Sequence, residues 1–227
     1  MKTVLVTGAG RGIGLATAKK FSSMGWEVLS LDKQFDNYHV GECINFDLRC
    51  LDKIPGLIDD LGPIDTLVNN AAVLFCDPMD AIPEKHIREI LEVNLLAPAR
   101  LIESVSSDMK SRGGGRIVSI GSVSAFTGHP DLWYGATKAA LLNLTKSYAS
   151  HLGRHNVLVN AVAPGPTLTK MYEELPDSRK ESVMSSVYSG RPCLPEEVAE
   201  TVFWLGALSP AYVSGTTVDV NNGSYPR

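Results

Sequence analysis

The sequence has no run of about 18 apolar residues, the length that a helix needs to cross a bilayer. No signal-peptide apolar region is visible either, because Met1–Thr3 leads directly into the short apolar run Val4–Val6. Cysteine is scarce, with four among 227 residues and no CxxC pair, so neither a zinc cage nor a disulfide framework is indicated. We therefore expect reduced thiols, no membrane partner and a cytoplasmic location.

Long runs of charge of one sign are also missing. Lys and Arg number 21 against 25 Asp and Glu, which gives a net charge of −4. Nucleic acid is not an expected partner, because phosphate backbones are bound chiefly by clustered Lys and Arg. What the sequence does have is a hydrophobic content of 44%, which is ample for a core. With no linker and no internal repeat, residues 1–227 are predicted to form a single domain.

Short apolar runs recur between longer segments of helical period. The runs do not alternate apolar with polar residues, which is typical of strands covered on both faces by crossover helices. The predicted strands are Val4–Val6, Val28–Leu31, a short one near Cys43–Phe46, Thr66–Val68, Ile117–Ile120, Val157–Val162 and Thr216–Val220. The predicted helices are Gly12–Met24, Leu51–Leu61, Glu84–Arg112 with a break near Asn94–Pro98, Tyr134–Leu152 and Glu196–Ala207. This order predicts an α/β fold of the Rossmann type, with a doubly wound parallel sheet between two helical layers.

Two segments depart from this rhythm. Lys33–Phe46 is polar and aromatic with little periodicity, so we expect no full helix in the second crossover. Pro166–Pro195 carries four prolines and several charges, and it follows a strand whose end faces the ligand in sheets of this kind. We interpret it as a substrate flap over a pocket, with a plain surface excursion as the alternative.

A glycine-rich turn separates the first strand from the first helix. It reads Gly8-Ala9-Gly10-Arg11-Gly12-Ile13-Gly14. Glycines let the backbone approach a diphosphate, whose charge the amides at a helix N-terminus bind. The spacing G-x-x-x-G-x-G differs from the commonest dinucleotide fingerprint, and no Lys-Ser/Thr pair follows, which excludes an NTPase P-loop. The turn therefore predicts a dinucleotide site.

Asp32 ends the predicted second strand, where a carboxylate can accept both hydroxyls of an adenosine ribose. A solvated turn aspartate is the alternative. In the functional reading, Asp32 repels a 2′-phosphate by about 3 kcal/mol at about 5 Å and an effective dielectric of about 20. Arg11 and Lys33 act in the opposite direction, because either could offset the charge of that phosphate. The expected cofactor is NAD, with NADP less favoured.

Tyr134 and Lys138 are spaced i, i+4 near the start of a predicted helix, so both side chains emerge on one face. An ammonium about 5 Å from a phenolate contributes about 3 kcal/mol, which moves the phenol pKa from about 10 towards neutrality. Such a tyrosine can serve as general acid or base. An ordinary exposed Tyr and Lys on an amphipathic helix is the alternative for the pair alone.

Further motifs surround this pair. In chain order they are Thr7-Gly8-x-x-x-Gly12-x-Gly14, Asn69-Asn70-Ala71, Asn94, Ser122, Tyr134-x-x-x-Lys138, Asn160-Ala-x-x-Pro164-Gly165 and Thr169. In order and approximate spacing the chain resembles the compact, single-domain branch of the short-chain dehydrogenase/reductase family, from Lys2 to about Gly223. The resemblance implies an NAD(P)-dependent oxidoreductase that transfers hydride between nicotinamide and a secondary alcohol or ketone.

The resemblance also implies a catalytic role for four residues. Tyr134 would exchange a proton with the substrate oxygen, Lys138 would bind the nicotinamide ribose and lower the tyrosine pKa, and Ser122 would hydrogen-bond the reacting oxygen. Asn94 would anchor a water that relays protons from Lys138. Asn69 would brace the central strands.

A larger set of positions is implied to bind the cofactor. Asp47 would accept a hydrogen bond from the adenine amine, and the backbone near Pro164–Thr167 would hold the carboxamide together with the Thr169 hydroxyl. The full set is Gly8, Gly10, Arg11, Gly12, Ile13, Gly14, Asp32, Lys33, Asp47, Leu48, Asn70, Ala71, Tyr134, Lys138, Pro164, Gly165, Thr167 and Thr169.

Three features depart from the family pattern. Ala72 stands where glycine is usual, and the stretch Ser122–Tyr134 is a residue shorter than is common, which reshapes the substrate mouth. The abbreviated segment Lys33–Phe46 bears on the adenosine contacts. No catalytic group is lost, which favours an enzyme. A catalytically silent dinucleotide-binding sensor or scaffold is the alternative function.

Two other constellations are weighed and set aside. His151 and His155 have the spacing of metal ligands but no nearby Asp or Cys partner, so no metal site is predicted. Ser122 with His129 and Asp131 could suggest a hydrolase triad, but no G-x-S-x-G elbow surrounds the serine.

Assembly and substrate complete the expectations. Leu95–Ile102 and Ala139–Leu144 are apolar almost all round, which favours a homo-oligomer, a dimer or tetramer, over burial by the chain itself. The substrate is expected to be a small alcohol or carbonyl compound. The residues expected to border its pocket hint at a polar, cyclic secondary alcohol; they are His129, Asp131, Trp133, Tyr172 and Arg191.

Overall fold

Within residues 1–35 and 39–226, which the computed structural model describes, seven strands form one parallel sheet. The strands are β1 (Thr3–Thr7), β2 (Glu27–Asp32), β3 (Glu42–Asn45), β4 (Thr66–Asn69), β5 (Gly115–Ile120), β6 (Val157–Pro164) and β7 (Thr217–Val220). Their order across the sheet is β3-β2-β1-β4-β5-β6-β7. The chain therefore runs outward from β1, returns to its other side and runs outward again, as the Rossmann-type prediction requires.

Helices cover both faces of the sheet. They are α1 (Gly12–Ser23), α2 (Ile54–Leu61), α3 (Glu84–Leu91), α4 (Ala97–Ser111), α5 (Leu132–Leu152), α6 (Lys170–Glu173), α7 (Asp177–Met184) and α8 (Pro195–Phe203). Alternation along β1 divides the core, because Leu5 packs towards α2 and α4 while Val4 and Val6 pack towards α1 and α8. In the part of the chain so described, no helix is long and apolar enough to cross a membrane.

The helix from Glu84 is not broken near Asn94–Pro98. A π-helical turn, Glu92–Leu96, joins α3 to α4, so this detail of the prediction is wrong. Pro98 lies in the first turn of α4, where a missing N–H is tolerated. The wider turn absorbs the proline instead of ending the helix.

The two irregular segments behave differently. None of the described residues of Lys33–Phe46 is helical, although residues 36–38, which this prediction includes, lie outside the described residues. Pro166–Pro195 contains two short helices, α6 and α7, that the sequence pattern does not predict. Its ends lie side by side, because the amide of Leu168 donates to the Cys193 carbonyl at 2.8 Å and the amide of Cys193 donates to Pro166 at 2.8 Å.

Candidate active site

The glycine turn forms the floor of the site at the carboxyl end of β1. Gly8 and Gly12 have φ of +66° and +56°, which is the left-handed region that glycine adopts without strain. A Cβ on Gly14 would lie 2.0 Å from the carbonyl oxygen of Gly8, so only glycine allows α1 to start this close to β1. The amide of Gly10 donates to Asp32 Oδ2 at 2.9 Å, which ties the turn to the end of β2.

Thr7 and Asn70 hold the turn against the end of β4. The Thr7 hydroxyl accepts from the amides of Asn70 and Ala71 at 3.0 and 3.1 Å. Asn70 Nδ2 donates to the carbonyls of Thr7 and Gly8 at 2.8 and 3.2 Å. The Asn69 amide is buried and has no hydrogen-bond partner among the described residues. No hydrogen bond of the described residues therefore accounts for the bracing role expected of Asn69, and Asn70, whose side chain points to the other face, is the residue that bonds the turn.

Ser122, Tyr134 and Lys138 lie on the wall of a cavity of about 680 Å³ that also borders the glycine turn. Ser122 follows β5, and the other two side chains leave the first turns of α5. Lys138 is buried, donates to the Ile120 carbonyl at 2.7 Å, and has its Nζ 5.6 Å from the centre of the Tyr134 ring. The sequence-predicted serine, tyrosine and lysine are thus brought together.

The pKa values of Tyr134 and Lys138 differ from the expectation. Burial raises the pKa of Tyr134 to about 12, and an interaction with Ser122 lowers it only in part. Burial also lowers the pKa of Lys138 to about 8. The prediction that Lys138 depresses the tyrosine pKa is wrong for this structure. A pairwise attraction is outweighed because both charged forms lose contact with water.

Asn94 lies in the π-helical turn and is buried behind the cavity wall. Its Oδ1 accepts from the amide of Val73 at 2.8 Å, and its Nδ2 donates to the Val73 carbonyl at 2.9 Å. Nδ2 also lies 3.5 Å from the hydroxyl of Thr137. The side chain therefore fastens the turn to the segment after β4.

Most predicted site residues border the same cavity. Those that do are Gly8, Arg11, Gly12, Ile13, Asp32, Lys33, Asp47, Leu48, Asn70, Ala71, Ser122, Tyr134, Lys138, Pro164, Gly165, Thr167 and Thr169. Gly10, Gly14 and Asn94 lie behind its surface and support it.

Two carboxylates stand at the adenosine end expected from the sequence. Asp32 accepts from the amides of Gly10 and, at 3.3 Å, Gln34. Both oxygens of Asp47 bind Arg49 Nε at 3.0 Å, and this hydrogen-bonded guanidinium lowers the pKa of Asp47. Arg49 also lines the cavity. Arg49 is not among the predicted site residues, although its position two residues after Asp47 is a usable signal.

At the opposite end of the cavity, after β6, two threonine hydroxyl groups make local hydrogen bonds. The Thr167 hydroxyl donates to the Gly165 carbonyl at 3.0 Å. The Thr169 hydroxyl accepts from the amide of Tyr172 at 3.4 Å and so caps α6. These contacts fix where segment 166–195 leaves the sheet.

Of the five residues expected to border the substrate pocket, two line the cavity. His129 and Tyr172 line the cavity, whereas Asp131, Trp133 and Arg191 do not. Arg191 instead pairs with Glu197 at 2.7 Å on the surface. Arg179 lines the cavity from α7 but is not among the predicted site residues, because no local pattern distinguishes it from other arginines.

Comparison with known proteins adds a second line of observation. The family profile described as short chain dehydrogenase matches residues 2–180. The 3-oxoacyl-acyl-carrier-protein reductase of Haemophilus influenzae is 32% identical over 237 residues, which cover 99% of this chain and 98% of that one. The enzyme of that name from Thermotoga maritima is 31% identical over 238 residues, which cover 98% and 97%.

Solved structures agree with this match. A Beutenbergia cavernae protein described as an NAD(P)-dependent gluconate 5-dehydrogenase, with bound NADP at low occupancy, superposes with a TM-score of 0.91. It is 31% identical, with 98% of this chain and 96% of that chain covered. The ligand-free aldohexose dehydrogenase of Thermoplasma acidophilum gives a TM-score of 0.89 at 28% identity, covering 100% and 94%.

Proposed function

The chain belongs to the short-chain dehydrogenase family, and from this membership we propose that it exchanges hydride between NAD(P) and a secondary alcohol or ketone, with Tyr134 as general acid/base. The observation that carries the proposal is the convergence of Ser122, Tyr134 and Lys138 on the cavity that the glycine turn borders. An oxidoreductase needs both parts next to each other.

The residues present fit a dinucleotide. The turn packs so closely that it excludes larger residues at two positions, because a Cβ on Gly10 would lie 2.9 Å from Asp32 Oδ2 and one on Gly8 2.8 Å from Asn70 Nδ2. The cavity volume is within the usual range for small-molecule sites. The glycine turn and α1 would hold the diphosphate, Asp32 the adenosine ribose, and the Pro164–Thr169 region the carboxamide. A bound nicotinamide dinucleotide supplies the hydride equivalent that the reaction transfers.

The protein's own groups manage the substrate oxygen and its proton. Ser122 and Tyr134 would hydrogen-bond that oxygen where charge develops. The raised pKa of Tyr134 keeps the phenol protonated at neutral pH, which is the form that donates in carbonyl reduction. Lys138, with its pKa near 8, is the adjacent group able to return a proton.

Asn94 is proposed to anchor the water that carries protons between Lys138 and solvent. Its side-chain amide is engaged by Val73. Pro98 has no N–H to donate to the Asn94 carbonyl four residues earlier, so the main chain of the π-helical turn is the natural acceptor for such a water.

We propose NAD as the preferred cofactor because the Asp32 carboxylate lies at the ribose end of the cavity and repels a 2′-phosphate. NADP is the alternative, favoured by Arg11 and Lys33 and by the NADP bound to the Beutenbergia relative. Fluorescence titration of the protein with NADH and NADPH decides between them: a lower Kd for NADPH overturns the preference.

The substrate class is tested with a carbonyl panel. The relatives are named for 3-oxoacyl, sugar-acid and aldohexose substrates. Acetoacetyl-CoA, 5-keto-gluconate, glucose with oxidised cofactor, and cyclohexanone therefore form the first panel. Turnover of any of them supports the proposed function. Dinucleotide binding without turnover of a wide panel supports the sensor or scaffold instead.

We also propose a homo-oligomer. Leu96 is 46% exposed beside α4, and Ala139 is exposed on α5, although both lie in apolar stretches. Size-exclusion chromatography with light scattering is expected to give a dimer or tetramer, and a monomer at micromolar concentration contradicts this part of the proposal.

A further inference from the structure

Arg179 reaches from α7, in the middle of segment 166–195, to the wall that carries the tyrosine. Its Nη2 binds Asp131 Oδ2, next to the start of α5, and lies 3.2 Å from His129 Nε2. Its Nη1 lies 3.8 Å from Cys76 Sγ. The His129 ring is 5.5 Å from the ring of Tyr134. One guanidinium therefore joins the segment to three groups around the substrate end of the cavity.

This ion pair is largely buried, unlike its neighbour on the same helix. The side chains of Asp131 and Arg179 are 5% and 16% exposed. Lys180, the next residue of α7, pairs with Asp177, whose side chain is 93% exposed. Removing one member of a buried pair leaves an uncompensated charge in a poorly hydrated place, whereas an exposed pair contributes little. The Arg179–Asp131 contact is therefore the strong polar attachment of α7 to the rest of the protein.

We propose that Arg179 and Asp131 are positioning residues, whose ion pair docks segment 166–195 over the substrate side of the cavity and keeps the charge beside Tyr134 balanced. The catalytic half of this inference rests on the proposed function, and the docking half does not. Neither residue touches the reacting atoms; each acts through the place and the proton affinity of the tyrosine.

The balance of charge can be followed group by group. The charged and titratable groups that act on the pair, the phenol and Cys76 come from α5, the segment before it, α7, the segment after β4 and the end of α6; they are Lys138, Asp131, His129, Arg179, Cys76, Asp77 and Glu174. Burial lowers the pKa of His129 and raises that of Cys76, so both are neutral at neutral pH. Asp131 raises the pKa of Tyr134 and Arg179 lowers it, so the intact pair leaves these two effects opposed.

Hydrogen exchange of the protein without cofactor tests docking. Arg179→Gln and Asp131→Asn are each expected to speed amide exchange in residues 170–187 at least about fivefold. Lys180→Gln, the matched control on the same helix, is expected to leave exchange there unchanged. Exchange in β4, β5 and β6 reports that each variant is folded. Wild-type protection of α7 in both Arg179→Gln and Asp131→Asn overturns the docking role.

The pH dependence of alcohol oxidation tests the charge balance. Oxidation needs the deprotonated tyrosine, so kcat/KM rises with pH below the tyrosine pKa, and this rising limb is compared among the variants at about pH 8 to 10. Arg179→Gln leaves Asp131 unopposed and is expected to displace the limb to higher pH by about one unit, which is about a tenfold lower kcat/KM at each pH, while Asp131→Asn displaces it to lower pH. The double variant returns it to near the wild-type position. Shifts of the same sign, or none, refute the inference.

Failure of the proposed function and failure of this inference give different experimental results. If wild-type protein oxidises no alcohol and reduces no carbonyl of the panel, the proposed function fails and the exchange experiment still decides whether the ion pair docks the segment. If turnover is present and the limb is the same in all variants, the charge balance fails and the proposed function stands.

Discussion

The Nζ of Lys138 lies 5.6 Å from the centre of the Tyr134 ring and donates a 2.7 Å hydrogen bond to the carbonyl of Ile120. The lysine is thereby fastened to the last residue of β5, two residues before Ser122. The relative positions of the three groups are set by one strand and the helix that follows it. Substitutions there can test chemistry while the rest of the fold is left intact.

Tyr134→Phe removes the phenolic proton and keeps the ring. We expect kcat for carbonyl reduction to fall about a thousandfold or more, with the Kd for NADH or NADPH within about threefold of wild type. Steady-state kinetics and fluorescence titration measure the two. Tyr148→Phe, the same chemical change near the far end of α5, is the control and should leave kcat unchanged. Activity retained by Tyr134→Phe contradicts the acid/base assignment.

Lys138→Met is expected to change how stability depends on pH. In the folded protein the pKa of Lys138 is about 8, below the value of 10.5 for an ordinary lysine, so the burial penalty is about 3 kcal/mol below pH 8. Between these values the unfolded state binds more protons, and wild-type stability rises with pH. Tyr134, with a raised pKa, adds nothing below about pH 10.

Urea unfolding at pH 7.5 and 9.5 measures this effect. The stability of Lys138→Met relative to wild type should decrease by about 2 kcal/mol over that interval. Lys146→Met replaces an exposed lysine of the same helix and should give a difference independent of pH. A pH-independent difference for Lys138→Met as well would show that the buried ammonium is not penalised.

Asp32→Asn keeps an oxygen for the Gly10 amide and removes the negative charge. Because the repulsion of a 2′-phosphate is about 3 kcal/mol, the ratio of Kd for NADPH to Kd for NADH should fall at least tenfold. Glu27→Gln, the same charge change at the other end of β2, should leave the ratio unchanged. An unaltered ratio in Asp32→Asn means that this carboxylate does not discriminate between NADH and NADPH at the adenosine ribose.

Gly14→Ala and Gly56→Ala are the same substitution at two helical positions, and we expect them to change stability in opposite directions. The new Cβ at position 14 would lie 2.0 Å from the Gly8 carbonyl oxygen, so the turn must distort; we expect dinucleotide affinity to fall more than tenfold and Tm to fall. Gly56 lies within α2 with nothing near its Cβ position, and alanine there should stabilise by about 1 kcal/mol. Calorimetry and titration compare them, and near-wild-type binding by Gly14→Ala would contradict the close approach.

The sequence predicts the central strands well because they are covered on both faces and therefore appear as largely apolar runs, as in Val157–Pro164, which is buried throughout. It misses α6 and α7, because these helices are short and polar. The side chain of Thr169 caps α6, and Arg179 attaches α7 to Asp131. Both helices therefore depend on tertiary contacts that the local sequence does not indicate. The π-helical turn is missed for a related reason, since proline predicts a break unless a wider turn absorbs it.

The candidate site divides in the same way. Tyr134 and Lys138 are predicted from their i, i+4 spacing because one helix holds both, whereas Ser122 is predicted from the family resemblance. The sign predicted for the tyrosine pKa shift is wrong, because a Coulomb argument between two residues omits the burial of both. Asn70 rather than Asn69 hydrogen-bonds to the glycine turn. The two residues are of the same type, so the direction of the side chain at the end of β4 decides which of them reaches the turn.

The pairing of Thr167 with Cys193 brings the two ends of segment 166–195 together at the edge of the sheet. The residues between them form a closed loop that is also held by the amide of Tyr188, which donates to the Asn222 carbonyl at 3.0 Å, and by the Arg179–Asp131 ion pair. Because the glycine turn, Tyr134 and Lys138 come from elsewhere in the chain, a loop of different length and chemistry that keeps Thr169 and these two attachments could be grafted here to alter which molecules are admitted.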